Sequence, residues 1–252
     1  MIPVALPLET FLKSPPFLVS QARAVAGHDG LRARLVADLG GQLAAAREAA
    51  RHILESQSDG MGCVRLLSRA MDGVMVALND AAIHHFYPVQ NPSSSERIAI
   101  VAVGGYGRGT LAPGSDVDLL FLLPHKQTAW GESVVEAMLY PLWDLKLKVG
   151  HSTRSVDECV RAAKADMTIR TALLEVRLIC GDAALFADFQ RRFATEVMEG
   201  TAAAFVPPLF GLPLAAYVGV AALLLGGFFA TLLGLFFGIP SLRVKGLYLA
   251  VT

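Results

Sequence analysis

Residues 98 to 123 read Ile98-Ala99-Ile100-Val101-Ala102-Val103-Gly104-Gly105-Tyr106-Gly107-Arg108-Gly109-Thr110-Leu111-Ala112-Pro113-Gly114-Ser115-Asp116-Val117-Asp118-Leu119-Leu120-Phe121-Leu122-Leu123. The first six are apolar and rich in β-branched residues, which reads as a short buried strand. The glycines that follow let the backbone turn sharply and come close to a bound phosphate. Asp116 and Asp118 stand two apart at the head of a second apolar run. In a strand that spacing puts both carboxylates on one face, with Val117, Leu119 and Phe121 on the other. Two carboxylates side by side repel each other and lose hydration, so a cation between them is the simplest reason for the pair. All-oxygen ligands favour magnesium or manganese. The stretch reads as a site for a metal-bound nucleoside triphosphate. A hairpin whose acids merely face solvent would need neither the four glycines around Arg108 nor two acids opening so apolar a strand.

Around this stretch the elements alternate. Residues 1 to 30 carry Pro3, Pro7, Pro15 and Pro16 and read as irregular. From Leu31 to about His85, Leu35, Leu39, Leu43 and Ala46 recur at helical spacing, which predicts two or three helices. Pro88 to Ser95 forms a polar loop. Beyond Leu123 we expect a helix from Gly131 to Leu142, a strand over Lys146 to His151, and helices again from 155 to 178. Ser155 would cap the first of these, with Asp157 and Glu158 in its first turn. A last helix is expected from Ala183 to about Glu199.

Composition divides the 252 residues sharply. None of the 22 acidic residues lies beyond Glu199, and of the 22 basic residues only Arg243 and Lys245 do. The balanced charge of the first part, with no basic run, gives no support to nucleic-acid binding. Cys63, Cys159 and Cys180 have neither even parity nor metal-ligand spacing and fit small core residues in a reducing compartment. The N-terminus lacks the basic start and continuous apolar core of a secretory signal, so the first part is expected in the cytoplasm. Leu214 to Phe237 is 24 uncharged residues, which as a helix would run roughly 36 Å, enough to cross a bilayer. Ala222, Gly226, Ala230, Gly234 and Gly238 would line one face of it with small side chains, suited to another membrane helix or simply common in such helices. Three regions are therefore expected: an N-terminal helical region over 1–95, a catalytic region with trailing helices over 96–206, and a hydrophobic fragment over 207–252.

An apolar strand, Gly-Gly, ten residues and Asp-Val-Asp in a second apolar strand is the layout of the polymerase-β-like nucleotidyltransferases. The expected fold class is thus α+β, a small mixed sheet flanked by helices, followed by one transmembrane-type helix. At finer grain the run from Gly104 to Leu120 closely resembles the protein-PII uridylyltransferase/uridylyl-removing family. The stretches Leu142-Trp143-Asp144, Val149-Gly150-His151-Ser152 and Thr171-Ala172-Leu173-Leu174-Glu175 resemble the same family in the same order, so the likeness extends over residues 1 to 206. It implies transfer of UMP from UTP to a tyrosine of the signalling protein PII. Nothing in Asp116 or Asp118 reads the base, so an adenylyltransferase of the same superfamily is the enzymatic alternative. Family members continue with an HD-type phosphohydrolase domain and two ACT sensor domains. Neither is found in these residues, which would leave the transfer reaction alone. Instead Leu232 to Ala250 resembles the permease subunit of branched-chain amino acid ABC transporters. A fusion or misassembled reading frame with its junction near Val206 to Pro208 is expected, with membrane association through 214–237 but no transport.

Chemistry assigns provisional roles. Asp116 and Asp118 would hold magnesium bound to the triphosphate. Gly104, Gly105 and Ser115 would donate to phosphate oxygens. Arg108 would neutralise phosphate charge or else be an ordinary surface arginine. Asp144 is the candidate third carboxylate on a neighbouring strand, the alternative being a loop or cap aspartate. His151 reads as a base, a ligand or, more simply, a structural strand-end residue. Lys146 and Lys148 face either a phosphate or solvent, and His84-His85 reads as a helix end.

Overall fold

A computed structural model describes residues 16–199, apart from 92 and 126, together with 222–223 and 225–229. The chain divides into two compact units, Met1–Val197 and Met198–Thr252. In the first, a long helix α1 (Pro16–Gln57) is followed by α2 (Gly60–Ala81), which ends in a wider π-helical turn, Ala82–Phe86. Strand β1 (Ala99–Ala102) leads into the helical turn α3 (Gly104–Gly107), and β2 spans Val117–Leu123. Helix α4 (Ala129–Asp144), β3 (Val149–Ser155), α5 (Val156–Ala165), α6 (Met167–Ala172), β4 (Arg177–Gly181) and α7 (Ala183–Arg192) follow among the described residues, α7 running on into a second π-helical turn, Phe193–Met198.

The sheet order is β3-β2-β1-β4. β1 pairs antiparallel with β2 and β4, while β2 and β3 run parallel, joined by the α4 crossover. The fold is therefore a mixed α+β arrangement. Ile100, Ala102, Val117, Leu119 and Phe121 join one core with Leu35, Leu39 and Leu43 of α1, Met71 and Val74 of α2 and Met138 of α4. Each side chain of this size contributes roughly 1.5–3 kcal/mol when fully buried, so the core fixes which face of β2 turns inward. Leu120 and Leu122, on the other face, are buried as well, with α7 packed against β1 and β2.

Several expectations are corrected. Residues 16 to 30 are helical, not irregular: Pro16 is the first residue of α1, a position where the missing N–H has no helical acceptor to lose. The strand expected over Lys146 to His151 begins only at Val149 and runs to Ser155. The alternation Leu145-Lys146-Leu147-Lys148 is instead a helix exit. Lys146 N–H donates to Trp143 O (2.9 Å) and Leu147 N–H to Leu142 O (3.1 Å), with Lys146 at φ 58°, which is a Schellman motif. Residues 155 to 178 are not all helical, since Arg177–Gly181 forms β4. Ser155 does cap α5, in a capping box with Glu158, as expected.

The span expected over Leu214 to Phe237 lies almost wholly outside the described residues. Residues 222–223 and 225–229 are helical, with Leu223, Leu225, Phe228 and Phe229 exposed. Among the described residues no helix is long and apolar enough to cross a membrane.

Candidate active site

The carboxylate pair stands at the open end of the sheet. Strand β2 starts at Val117, so Asp116 immediately precedes it and Asp118 is its second residue and its one exposed position. Parallel pairing sets Asp118 opposite Gly150 of β3. A methyl group on Gly150 would overlap Asp118 Oδ1, and one on Gly104 would lie 3.8 Å from Oδ2. The carboxylate thus occupies the gap between two glycines, one from the turn and one from the next strand. Burial, followed by the repulsion of Asp116, pushes the Asp118 carboxyl above its ordinary value. That is the electrostatic sign of a site that a cation would relieve.

The glycine run is built as one helical turn rather than an open loop. Gly104 takes φ +60°, a left-handed conformation that costs glycine little. Gly107 N–H donates to Val103 O (3.1 Å), Arg108 N–H to Gly104 O (3.0 Å) and Thr110 N–H to Gly105 O (3.1 Å). Gly107 approaches the backbone so closely that a β-carbon there would overlap the Glu175 carbonyl. The first N–H groups of such a turn have no intrahelical acceptor, which leaves those of Gly104 and Gly105 suited to an anion.

Helix α2 anchors this turn from below. The Tyr106 ring is buried and its hydroxyl donates to Asp72 Oδ1 (2.8 Å). Arg177 of β4 donates to both oxygens of Asp72 (2.9 and 3.0 Å) and to Tyr106 O (3.2 Å), with its guanidinium 5.5 Å from the Tyr106 ring centre. Burial and the Asp72 charge hold the Tyr106 hydroxyl well above its ordinary pKa, so it stays a donor. One turn earlier on α2, Ser68 Oγ accepts from Leu111 N–H (2.7 Å) and donates to Val64 O (3.0 Å). Ser68 and Asp72, four apart and so on one helix face, hold the two ends of the segment 106–111. Neither was among the residues expected from sequence. The available signal was two polar residues at i, i+4 among Leu67, Met71 and Met75 on the buried face of α2.

The other expected residues fall as follows. Arg108 is exposed and ion-paired with Glu175, the last residue of the motif 171–175. Ser115 is exposed, and both its donors are taken: Oγ and N–H each bond Ala112 O (2.9 and 3.1 Å). Asp144 is not on a strand. It is the last residue of α4, where its carboxylate accepts from Arg32 (2.7 Å), tying α4 to α1. The Schellman exit carries the chain away before β3 begins, which is why Gly150 and not Asp144 faces Asp118. His151 pairs with Leu119, on the opposite face of the sheet from Asp118, with its ring 6.2 Å from Trp143. His84 and His85 lie in the π-helical turn that ends α2.

No group of three His, Cys, Asp or Glu side chains that could hold a metal occurs among the described residues. The pair fits the metal nevertheless. Magnesium is commonly held by one or two carboxylates with substrate phosphates supplying the rest, not by an all-protein cage. Two adjacent carboxylates, one with its pKa raised, are the donor set such an ion needs.

Residues 90–179 match the nucleotidyltransferase domain family. The chain is similar to the bifunctional uridylyltransferase/uridylyl-removing enzyme of Rhodopseudomonas palustris, 56% identical over 165 residues, which cover 66% of this chain and 18% of that protein. The enzymes of the same name from Bradyrhizobium sp. strains ORS 278 and BTAi1 are each 53% identical over 178 residues, 71% of this chain and 19% of theirs. The chain thus spans about a fifth of the length of these relatives.

Proposed function

We propose that this chain is the nucleotidyl-transferring part of a uridylyltransferase, polymerase-β-like in arrangement, that moves UMP from UTP to a tyrosine of PII. The observation that carries the reading is the Asp118 carboxylate seated between Gly104 and Gly150 beside the anchored glycine turn, within a segment that matches the nucleotidyltransferase domain family. The names of the similar proteins support uridylyl over adenylyl as the transferred group.

In this mechanism Asp116 and Asp118 hold magnesium, or manganese, which when bound neutralises triphosphate charge and polarises the α-phosphorus. The N–H groups of Gly104 and Gly105 orient phosphate oxygens. Arg108 exchanges Glu175 for a phosphate oxygen, a swap made easy because both partners are largely exposed and such a pair is worth under about 1 kcal/mol. Ser115 shapes the turn into β2 and contributes its hydroxyl only if it leaves Ala112 O. Asp144 contributes as a third carboxylate only if it leaves Arg32. The catalytic part would work in the cytoplasm, where UTP and PII are found. The test is incubation of the full chain with PII, magnesium and labelled UTP or ATP. Label from UTP on a PII tyrosine is expected; label from ATP and none from UTP would refute the choice of nucleotide.

The absence of any charged residue from Gly200 to Leu242 supports a second reading for the C-terminal part, as a permease-like fragment that associates with membranes. Alkaline carbonate extraction of expressed protein tests it. Recovery wholly in the extract would remove the membrane reading and leave the catalytic one untouched.

A further inference from the structure

We infer that the cavity behind the carboxylate pair is a binding site for a small amphipathic anion, an apolar body with one anionic head such as a medium-chain carboxylate. The cavity measures about 500 Å³, within the range of roughly 300–1,000 Å³ typical of small-molecule sites. It lies where two apolar clusters fail to merge. Leu43, Met71, Leu111 and Val117 belong to the main core, while Ala50, Cys63 and Leu67 form a separate cluster, and all of these line the gap. Such a floor takes an apolar body and offers it little to hydrogen-bond.

The rim has a single sign of charge. Arg47, Arg51, Lys146 and Lys148 all line the cavity, and no carboxylate does. Arg51 is engaged by both oxygens of Glu48 (2.7 and 2.8 Å). Arg47, Lys146 and Lys148 have no ion-pair partner among the described residues, so cationic charge is left to meet an anionic head. Lys146 adds an independent observation. It occupies the left-handed position of the Schellman exit from α4, where glycine is the residue the backbone favours. The exit turn thereby fixes the lysine backbone beside the cavity, where its ammonium group is available to an anionic head.

The cavity is not the nucleotide face. Val117 lines it and points into the core, whereas Asp118 points out of the opposite face of β2. Ser115 and Val117 line the cavity and alternate with Asp116 and Asp118, so an occupant would rest directly behind the metal pair.

The experiment uses the full chain and sodium decanoate, with Cys63 as reporter. Cys63 is a free thiol that lines the cavity. Cys159 and Cys180 lie elsewhere, with thiols that burial pushes up to about 12. Decanoate is expected to slow N-ethylmaleimide alkylation of Cys63 at least about fivefold and to leave the other two unchanged, as read by peptide mass mapping. Lys146→Gly and Lys148→Gln should each raise the half-protecting concentration about fivefold, the loss of one partly exposed charge contact. Lys146→Gly should melt no lower than the parent, because glycine suits its backbone. Where Cys63 reacts too slowly to time, the decanoate-induced rise in Tm replaces it, reduced in both variants. No protection and no rise in Tm would overturn the site. Equal protection by decanol, or unchanged protection in both variants, would overturn the anionic head.

Discussion

Replacing Gly150 with alanine should disable the candidate site while leaving the fold almost untouched. The added methyl would overlap Asp118 Oδ1, with the carboxyl carbon 3.6 Å away. The neighbour that must yield is therefore the end of a side chain, not backbone. Moving that oxygen by about 1 Å restores ordinary van der Waals contact, and Asp118 is exposed enough to do so. The stability ledger is short. Alanine in place of glycine within a strand gains about 0.5–1 kcal/mol, and an off-rotamer carboxylate costs about 0.5–1.5 kcal/mol. The net change should stay within about 1 kcal/mol. Activity should respond very differently, because a misplacement of about 1 Å in a group that positions reacting atoms costs on the order of 10²-fold. The assay is kcat/KM for UMP incorporation into PII, alongside manganese affinity by electron paramagnetic resonance and Tm by calorimetry. Gly41→Ala is the control, since an added methyl there meets nothing within 4 Å. A Gly150→Ala protein with activity within threefold of the parent and unchanged manganese affinity would refute the placement of Asp118 as a metal ligand.

Asp118→Asn should abolish nucleotidyl transfer and raise Tm. Its folded pKa is raised, so ionisation weakens the fold as pH rises above the ordinary carboxylate range; a gain in Tm seen equally at pH 3 and pH 7 would contradict this. Asp182 is the opposite case: its hydrogen bond with Arg97 comes first among the causes that hold its pKa down to about 2, and it also caps α7 through Leu185 N–H (2.8 Å). The stability it supplies is complete above about pH 4 and lost as pH falls toward 2, so Asp182→Ala should cost about 1 kcal/mol in urea titrations at pH 7 and little at pH 2. Asp72→Ala would leave the Tyr106 hydroxyl without its acceptor and the Arg177 guanidinium with Tyr106 O but no carboxylate, and should cost about 2–3 kcal/mol. It should also raise KM for UTP, since the glycine turn loses its anchor, whereas Tyr106→Phe should cost about 1 kcal/mol with Arg177 still paired.

What was legible in the sequence followed from local pattern. The strand ending at the glycines was visible because every residue from Ile98 to Ala102 is buried and so none needed to be polar. The Asp-Val-Asp alternation was visible because only one face of β2 is open at that end. What escaped depends on partners far along the chain. Strand β4 is five residues long and becomes a strand only by pairing with β1, with a register shift at Ile100/Val101. Leu145 to Lys148 alternates like a strand, yet the carbonyls of Pro141, Trp143 and Leu142 take the N–H groups of Leu145, Lys146 and Leu147 first. Ser68 and Asp72 look like incidental polar residues in a helix until Leu111, Tyr106 and Arg177 are brought to them across up to 105 residues of sequence. Gly150 lay within a stretch quoted for its family likeness, but its purpose, to leave room for a carboxylate on the next strand, depends on the β2–β3 register.

The division of labour among the glycines bears on how such a site tolerates change. Gly104 is required by backbone angle, Gly107 by contact with the Glu175 carbonyl, and Gly150 by space for Asp118. Only the last is relieved by moving a flexible side chain. Substitution at Gly107 must instead displace β4's approach at residue 175, and with it Arg177 and the Asp72–Tyr106 pair that fix the turn. The glycine turn and the sheet edge are thus one mechanical unit, while the Asp118 carboxylate is the part free to adjust. If the pair holds a cation as proposed, the rigid turn would fix where phosphate can sit, and the two flanking glycines would leave the Asp118 carboxylate the room to reach the ion.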